Sequence, residues 1–288
     1  MVPSLLSTVI LAMTVLPATQ ACNFHMQRRS NTYSNPHARR DTRFQRRAEE
    51  IDFEYVNSFD WHTIKPEYLT CFTGTSQSPI GVHSTQGLAT THPPSFAGYQ
   101  TTTNTTGTFK NWGFGPAFDI DMVNEDPTTL PAMTFDDQTV FLSGWHIHFP
   151  SEHLVDGVRS AAEMHFVHVN AAGEPASVVG IRIEPSVTAH SAFFAQVPAA
   201  IPAPANPPVE GTPGVPMDHL LAIHEVGMVQ QYWTYKGSLT TPPCSEGLRW
   251  FLPQMTLKVS EAQMLALRGA GRFSHRIEQV VMNQAINV

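Results

Sequence analysis

The most informative segment of the chain is Gly144-Trp145-His146-Ile147-His148-Phe149. Its pattern is typical of a β-strand, on which residues i and i+2 project from the same face. His146 and His148 are then about 7 Å apart at Cα, since a strand rises ~3.3 Å per residue, so both imidazoles can meet one ion. A third histidine, His165, lies in the next strand-like run, and a hairpin would place it beside the first pair.

Three imidazoles on one β-surface leave the fourth position of a tetrahedral zinc ion open, which is typical of catalytic zinc. The spacing alone is equally compatible with packed core histidines. His168 is expected on the face opposite His165 and is not a predicted ligand. His153, in the connection between the two runs, is a candidate for a structural role.

The composition describes an acidic body that follows a basic leader. The 288 residues include 17 Lys+Arg, 24 Asp+Glu and 14 His, for a net charge of −7. Residues 1–47 hold seven arginines and one acid, Asp41. A body this acidic is a poor candidate for binding nucleic acid, so we expect no nucleic-acid partner.

Residues 5–16 form an apolar run that is too short to cross a bilayer and has the length of a secretory signal peptide. Cleavage is expected after Ala21 or Ala18, and the alternative is a buried N-terminal segment. Residues 22–47 contain three Arg-Arg pairs and no apolar period, which favours a basic pro-segment over a solvated tail. We therefore expect a signal peptide at 1–21, a basic pro-segment or disordered tail at 22–47, one domain at 48–288 and a secreted, extracellular protein with no membrane anchor.

The sequence of the domain predicts mainly strands and loops. Alternating or apolar runs predict strands at 118–122, 139–149, 164–170, 177–183 and 248–257. Ser260 as N-cap predicts a helix to Arg268, with weaker candidates at 191–196 and 220–225. The proline-rich stretch 196–216 is expected to be a long surface loop.

Four blocks of sequence resemble the α-class carbonic anhydrases, in particular their secreted members. They are 77–80 (Gln-Ser-Pro-Ile), 146–157, 162–170 and 232–244. The resemblance implies a mainly β, single-domain fold around a large, mostly antiparallel, twisted sheet of about ten strands with short peripheral helices.

The same resemblance implies one Zn²⁺ per chain, bound by His146, His148 and His165, with Glu163 as the hydrogen-bond partner of His165. Thr240 would accept a hydrogen bond from zinc-bound hydroxide and donate its own proton to Glu152, while Tyr55 would join the water network. The substrate pocket would be formed by Val167, Val178, Leu239, Thr241, Leu248 and Trp250.

Cys71 and Cys244 match positions that form a disulfide in secreted members of the family, which leaves Cys22 as the odd cysteine. Asn104 begins the sequon Asn104-Thr105-Thr106 and is expected to carry a glycan if the chain is secreted.

Two positions depart from the family pattern. Phe114, followed by an apparent two-residue insertion, occupies the place of the proton-shuttle histidine of fast members. Gly144 replaces a glutamine that often supports the first zinc histidine.

We therefore expect reversible, zinc-dependent hydration of carbon dioxide to bicarbonate and a proton, without a histidine shuttle. Sulfonamide and anion inhibitors are expected at zinc, in a monomer or homodimer. The alternatives are a catalytically silent binding module on the same fold and a zinc esterase with another substrate.

Overall fold

The computed structural model describes residues 50–100 and 105–288. As the sequence predicts, these residues are mainly β. The strands are β1 (Gly81–Val82), β2 (Ser95–Gly98), β3 (Thr105–Asn111), β4 (Pro116–Ile120), β5 (Ala132–Phe135), β6 (Gln138–His148), β7 (Leu154–Val155), β8 (Val158–Arg159), β9 (Ala162–Val169), β10 (Pro175–Ser186), β11 (Thr212–Met217), β12 (Tyr232–Ser238), β13 (Glu246–Pro253) and β14 (Leu257–Ser260).

One sheet of eleven strands dominates the architecture. Its main path runs β11-β3-β4-β6-β9-β10-β13-β12, while β14 pairs with β10 and β5 joins β2 to β6. The pairs are antiparallel except β10–β13 and β10–β14. A separate three-stranded sheet has the order β1-β7-β8. The expected large, mostly antiparallel sheet is confirmed, with one strand more than the ten predicted.

Helices are short and lie between the strands. The α-helices are α1 (Thr70–Thr73), α2 (Leu220–Glu225) and α3 (Glu261–Gly269). The 3₁₀ turns are Tyr55–Asn57, Trp61–Thr63, Pro66–Tyr68, Ser84–Gln86, Val123–Glu125, Pro127–Thr129, Phe194–Gln196 and Gly227–Val229. In the described part of the chain, no helix has the length and apolar character needed to span a bilayer.

The predicted helix after Ser260 is confirmed, because the Ser260 hydroxyl accepts a hydrogen bond from the Gln263 N–H and caps α3. The helix predicted at 191–196 is reduced to the single turn Phe194–Gln196, and the helix at 220–225 is α2. The strand predicted over 248–257 ends at Pro253, and β14 resumes at Leu257.

The prediction of one continuous loop over 196–216 is wrong at its end. β11 (Thr212–Met217) pairs antiparallel with β3 and forms one edge of the main sheet. Its two prolines, Pro213 and Pro216, are tolerated because an edge strand does not need every N–H for pairing.

Candidate metal centre

Three histidines converge on one face of the main sheet. β6 supplies His146 and His148, and β9 supplies His165, which lies directly opposite His146 in the antiparallel register. The ring centroids are 4.8 Å apart for His146 and His148, 5.3 Å for His146 and His165, and 4.5 Å for His148 and His165. One ring nitrogen from each lies within 4.8 Å of the others. The hairpin-like juxtaposition expected from the sequence is therefore present.

His148 is oriented by the backbone that follows α3. Its Nδ1 donates to the Ser274 carbonyl at 2.6 Å, and its buried Nε2 has no hydrogen-bond partner among the described residues. Glu152 Oε2 is 3.7 Å from this Nε2, beyond hydrogen-bond distance. Burial, aided by the neighbouring His165, lowers the pKa of His148 well below its usual value. A neutral, buried and unpartnered nitrogen has the character of a metal ligand.

His165 is held by a buried carboxylate. Its Nε2 lies 2.9 Å from Glu163 Oε1 and donates to it, so Nδ1 is the nitrogen that faces the other two imidazoles. Burial lowers the pKa of His165. Burial alone would raise the pKa of Glu163, but His153 and His165 hold the pKa of this carboxyl well below its usual range. The partnership of Glu163 with His165 that the resemblance implied is present in the geometry.

A second hydrogen-bonded layer extends behind Glu163. His153 Nδ1 lies 2.6 Å from Glu163 Oε1, and His153 Nε2 lies 2.7 Å from the Tyr235 hydroxyl. The Tyr235 hydroxyl donates to Ser78 Oγ at 2.8 Å. Sequence reasoning treated His153 as a possible structural residue and did not identify Tyr235 or Ser78. The available signal was that Ser78 and Tyr235 both lie in blocks that resemble the family.

Glu152 lies beside the histidines and is fully buried. Its Oε1 accepts a 2.7 Å hydrogen bond from the Arg276 N–H. Burial raises the pKa of Glu152 well above its usual value, while the Arg276 N–H and the Thr240 hydroxyl act as hydrogen-bond donors that lower it. No standard hydrogen bond from the described residues reaches Oε2. A divalent cation at the three histidines would favour the ionised form of Glu152 that the resemblance implies.

Tyr55 packs against the site from the N-terminal segment. Its ring centroid is 6.0 Å from that of His148, and its buried hydroxyl has no hydrogen-bond partner among the described residues. Burial, with the charge of Glu152, raises the pKa of Tyr55 well above its usual value. Phe114 is fully buried, 4.9 Å from Tyr55 between ring centroids, so an aromatic side chain fills the position that the family pattern gives to a shuttle histidine.

The predicted apolar pocket residues come together beside His165. Val167, Val178 and Trp250 lie directly opposite one another on β9, β10 and β13. The Trp250 ring centroid is 4.9 Å from that of His165. Val178, Leu239, Leu248 and Trp250 are buried in one cluster, and Thr241 is half-buried.

The disulfide between Cys71 and Cys244 is present and confirms the pairing inferred from the resemblance. It ties α1 to the turn that follows Thr240 and Thr241, where the Cys244 N–H donates to the Thr241 carbonyl. Asn104, Cys22 and the two leader segments lie outside the described residues.

Gly144 has no room for a side chain. It lies opposite Asp119 of β4, and a Cβ on Gly144 would approach the Phe118 carbonyl oxygen to 2.2 Å. The glutamine that the family pattern places here is therefore excluded by the close approach of β4 to β6.

The fold and the site define a mainly β protein with a candidate three-histidine metal site backed by two buried carboxylates. The model of the eukaryotic-type carbonic anhydrase family matches residues 57–286. The chain belongs to this family.

Two curated or solved relatives support the assignment at similar levels of identity. A carbonic anhydrase of Klebsiella pneumoniae is 31% identical over 223 residues, covering 75% of this chain and 78% of that protein. The solved fungal α carbonic anhydrase of Aspergillus oryzae is 25% identical with a TM-score of 0.64, covering 82% of this chain and 95% of that chain.

The fold is also that of the α-carbonic anhydrase of Thermovibrio ammonificans, solved in complex with the inhibitor sulfanilamide. That structure has a TM-score of 0.65 and 24% identity, and the match covers 83% of this chain and 98% of that chain.

Proposed function

We propose that this protein catalyses the reversible hydration of carbon dioxide to bicarbonate and a proton, with one Zn²⁺ held by His146, His148 and His165. The observation that carries the proposal is the convergence of these imidazoles on one sheet face, with the buried Nε2 of His148 left without a partner. Three neutral nitrogen donors suit zinc and leave a coordination position open. Bound zinc supplies a Lewis acid that makes hydroxide available near neutral pH.

Glu163 and the Ser274 carbonyl orient two of the three imidazoles. Each accepts a hydrogen bond from the ring nitrogen that faces away from the site. Such partners fix the tautomer and direction of a histidine ligand, and they strengthen metal binding.

Glu152 and Thr240 orient the attacking oxygen. In the proposed arrangement the Thr240 hydroxyl donates to Glu152, which leaves its oxygen to accept a hydrogen bond from the nucleophile. This arrangement directs a lone pair of the nucleophile at the carbon of CO₂. The backbone N–H of Thr240 is proposed to orient the CO₂ substrate.

The apolar wall around Val167, Val178 and Trp250 binds the substrate. CO₂ has no charge and accepts hydrogen bonds weakly, so a buried apolar surface beside the metal suits it and excludes excess water. The charged product bicarbonate is bound less well by the same surface.

The product proton leaves without an imidazole at position 114. Phe114 is buried and does not titrate, so regeneration of the nucleophile depends on buffer molecules that reach the site. We therefore propose an enzyme whose turnover rises strongly with buffer concentration.

The protein is proposed to be secreted, with a signal peptide at 1–21, a pro-segment at 22–47 and a glycan at Asn104. The disulfide between Cys71 and Cys244 supports this proposal, because such bonds persist mainly in oxidising compartments.

The decisive experiment is stopped-flow CO₂ hydration by the purified protein at low and high imidazole concentration, before and after zinc chelation. We expect activity that rises with imidazole, disappears on chelation and returns with zinc. The Thr240→Ala variant is expected to keep zinc and lose about 100-fold in activity, since it loses the orienting hydroxyl.

Three outcomes would contradict the proposal in different ways. Zinc-loaded protein without hydration activity would favour the binding module. Hydrolysis of an activated ester that greatly exceeds CO₂ hydration would favour the esterase. Fast turnover at low imidazole would show that another group carries the proton.

A further inference from the structure

Trp112 contacts both histidines of β6. Its ring centroid is 5.3 Å from that of His146 and 5.4 Å from that of His148, with interplanar angles of 64° and 63°. Its indole Nε1 donates at 3.3 Å to the carbonyl of Ile147, the residue between the two histidines. One side chain therefore contacts all three residues of the His-Ile-His segment.

Trp112 is itself held in place by the turn between β3 and β4. The Trp112 N–H donates to the Gly115 carbonyl, and the Gly113 N–H donates to Asn111 Oδ1. The buried Asn111 amide also donates to the carbonyls of Pro202 and Ala270. These bonds anchor the turn to two distant segments, so the indole is presented from a rigid support.

The far side of the same turn is fixed by Arg272. Its side-chain Nε donates to the Gly113 carbonyl, and its backbone N–H donates to the Phe114 carbonyl. Its guanidinium carbon lies 4.0 Å from the centroid of the Phe114 ring. Phe114 in turn packs against Trp112 with ring centroids 4.9 Å apart, and its other ring neighbours are Phe53 and Tyr55.

We propose that Trp112 is a positioning residue that holds the imidazoles of His146 and His148 in the orientation needed for the metal. This inference rests on the zinc site of the proposed function. Edge-to-face contact with an aromatic ring limits rotation of each imidazole about its side-chain bonds. Locked ligand rotamers raise metal affinity, because less order has to be created on binding.

The absence of a side chain at Gly144 leaves this role to another residue. Gly144 lies two residues before His146, and β4 occupies the space that a side chain there would need. Trp112 reaches the His-Ile-His segment from the β3–β4 turn instead. The indole thereby supplies both packing to the rings and a hydrogen bond to the backbone between them.

The test compares zinc affinity in three variants of the full chain, measured by competition with a chelator of known affinity. Trp112→Leu is expected to weaken zinc binding by about 10-fold or more. Trp112→Phe keeps an aromatic edge beside both imidazoles and is expected to recover most of that loss. Phe114→Leu is the matched control, since it loosens the same turn without removing a ring that contacts a histidine.

Visible absorption of the Co²⁺-substituted proteins supplies a second readout, because it reports coordination geometry independently of activity. Trp112→Leu is expected to change this spectrum, while Phe114→Leu keeps the wild-type spectrum. Thermal unfolding of the metal-free variants measures the general loss of packing in both.

The possible failures are distinguishable. If the wild-type protein binds no zinc, the proposed function itself is wrong. If the wild type binds zinc and Trp112→Leu binds it equally well, the positioning role is wrong and the zinc site stands. Equal losses in Trp112→Leu and Phe114→Leu would also overturn the inference, because they would assign the effect to general packing.

Discussion

Glu163 accepts four hydrogen bonds in a fully buried position. The donors are the side chains of His153 and His165 and the backbone N–H groups of Glu152 and His153. A buried carboxylate survives only with such partners, and they hold its pKa well below the usual range. The charge of Glu163 therefore sets the orientation of His165.

Replacing Glu163 by Gln is expected to lower zinc affinity by about 10–100-fold, because an amide oxygen is a weaker acceptor for the His165 N–H. Chelator competition measures the change. Glu174→Gln is the control, since Glu174 is an exposed carboxylate that accepts a hydrogen bond from the Asn170 side chain. Equal zinc affinity in the two variants would show that the His165 contact does not contribute.

His219 is a buried histidine on the face of the main sheet opposite the candidate metal site. Burial among Phe118, Phe166 and Phe193 lowers its pKa to about 3. In the unfolded chain the pKa is about 6.5, so the unfolded state binds a proton between these two values and the folded state does not. The free energy of unfolding therefore falls as the pH falls through this window, by about 1.4 kcal/mol per pH unit for this residue.

The His219→Leu variant is expected to lose this contribution. Between pH 6 and pH 4.5 its stability should fall by about 2 kcal/mol less than that of the wild type. Urea unfolding at both pH values measures the difference. His83→Leu is the control, because it removes an exposed histidine instead of a buried one. Parallel pH profiles for wild type and His219→Leu would contradict the neutral, buried state of His219.

Local spacing was sufficient to place His146 and His148 on one face of a strand, because residues i and i+2 project from the same side. The choice of these histidines and His165 as metal ligands, over packed core histidines, also needed the resemblance to the family. The layer formed by Ser78 and Tyr235 could not be derived in this way. The two residues are 157 positions apart, and only the completed sheet brings their hydroxyls together. The contact of Trp112 with both histidines has the same origin, because it depends on a turn outside β6.

At the scale of the elements, the predicted strands were displaced by a few residues but kept their place in the sheet. β6 runs over Gln138–His148 where 139–149 was predicted, and β9 over Ala162–Val169 where 164–170 was predicted. β11 was missed because Thr212–Met217 contains two prolines and has no alternation. Its pairing with β3 is a contact about 100 residues away in sequence, which local patterns do not encode.

The close approach of β4 and β6 makes Gly144 a test of strand packing. A Cβ there would lie 2.2 Å from the Phe118 carbonyl oxygen, so the strands must move apart to accept it. Gly144→Ala is expected to destabilise the protein by about 1–3 kcal/mol, the usual cost of overpacking. Gly269→Ala is the control, because nothing lies within 4 Å of the corresponding Cβ. Urea unfolding that gives equal stabilities for both variants would show that β4 yields without cost.

The main sheet carries the histidines, while the N-terminal and C-terminal segments of the domain close around them. The site receives Tyr55 from the start of the domain, and Ser274 and Arg276 from near its end. The centre is therefore complete only when segments more than 200 residues apart are in place. This explains why the candidate metal ligands can be proposed from a short stretch of sequence and their support cannot.

The disulfide between Cys71 and Cys244 is the one covalent link between these distant parts within the described residues. It joins cysteines 173 positions apart, so it restricts the unfolded chain strongly. The double variant Cys71→Ser/Cys244→Ser is expected to lose about 5 kcal/mol of stability in the chain-entropy model. Activity is expected to fall with it, because the bridge also anchors the turn that follows Thr240 and Thr241.

Urea unfolding of the oxidised proteins measures this contribution, with the wild-type protein as the control that keeps the bridge intact. Both proteins are compared at the same zinc concentration, since a bound metal raises the apparent stability of the folded state. If the stability of the double variant is within about 1 kcal/mol of that of the control, residual structure in the unfolded chain already keeps the two cysteines close despite their 173-residue separation. If the double variant loses the expected stability but keeps its hydration activity, packing alone holds the turn that follows Thr240 and Thr241.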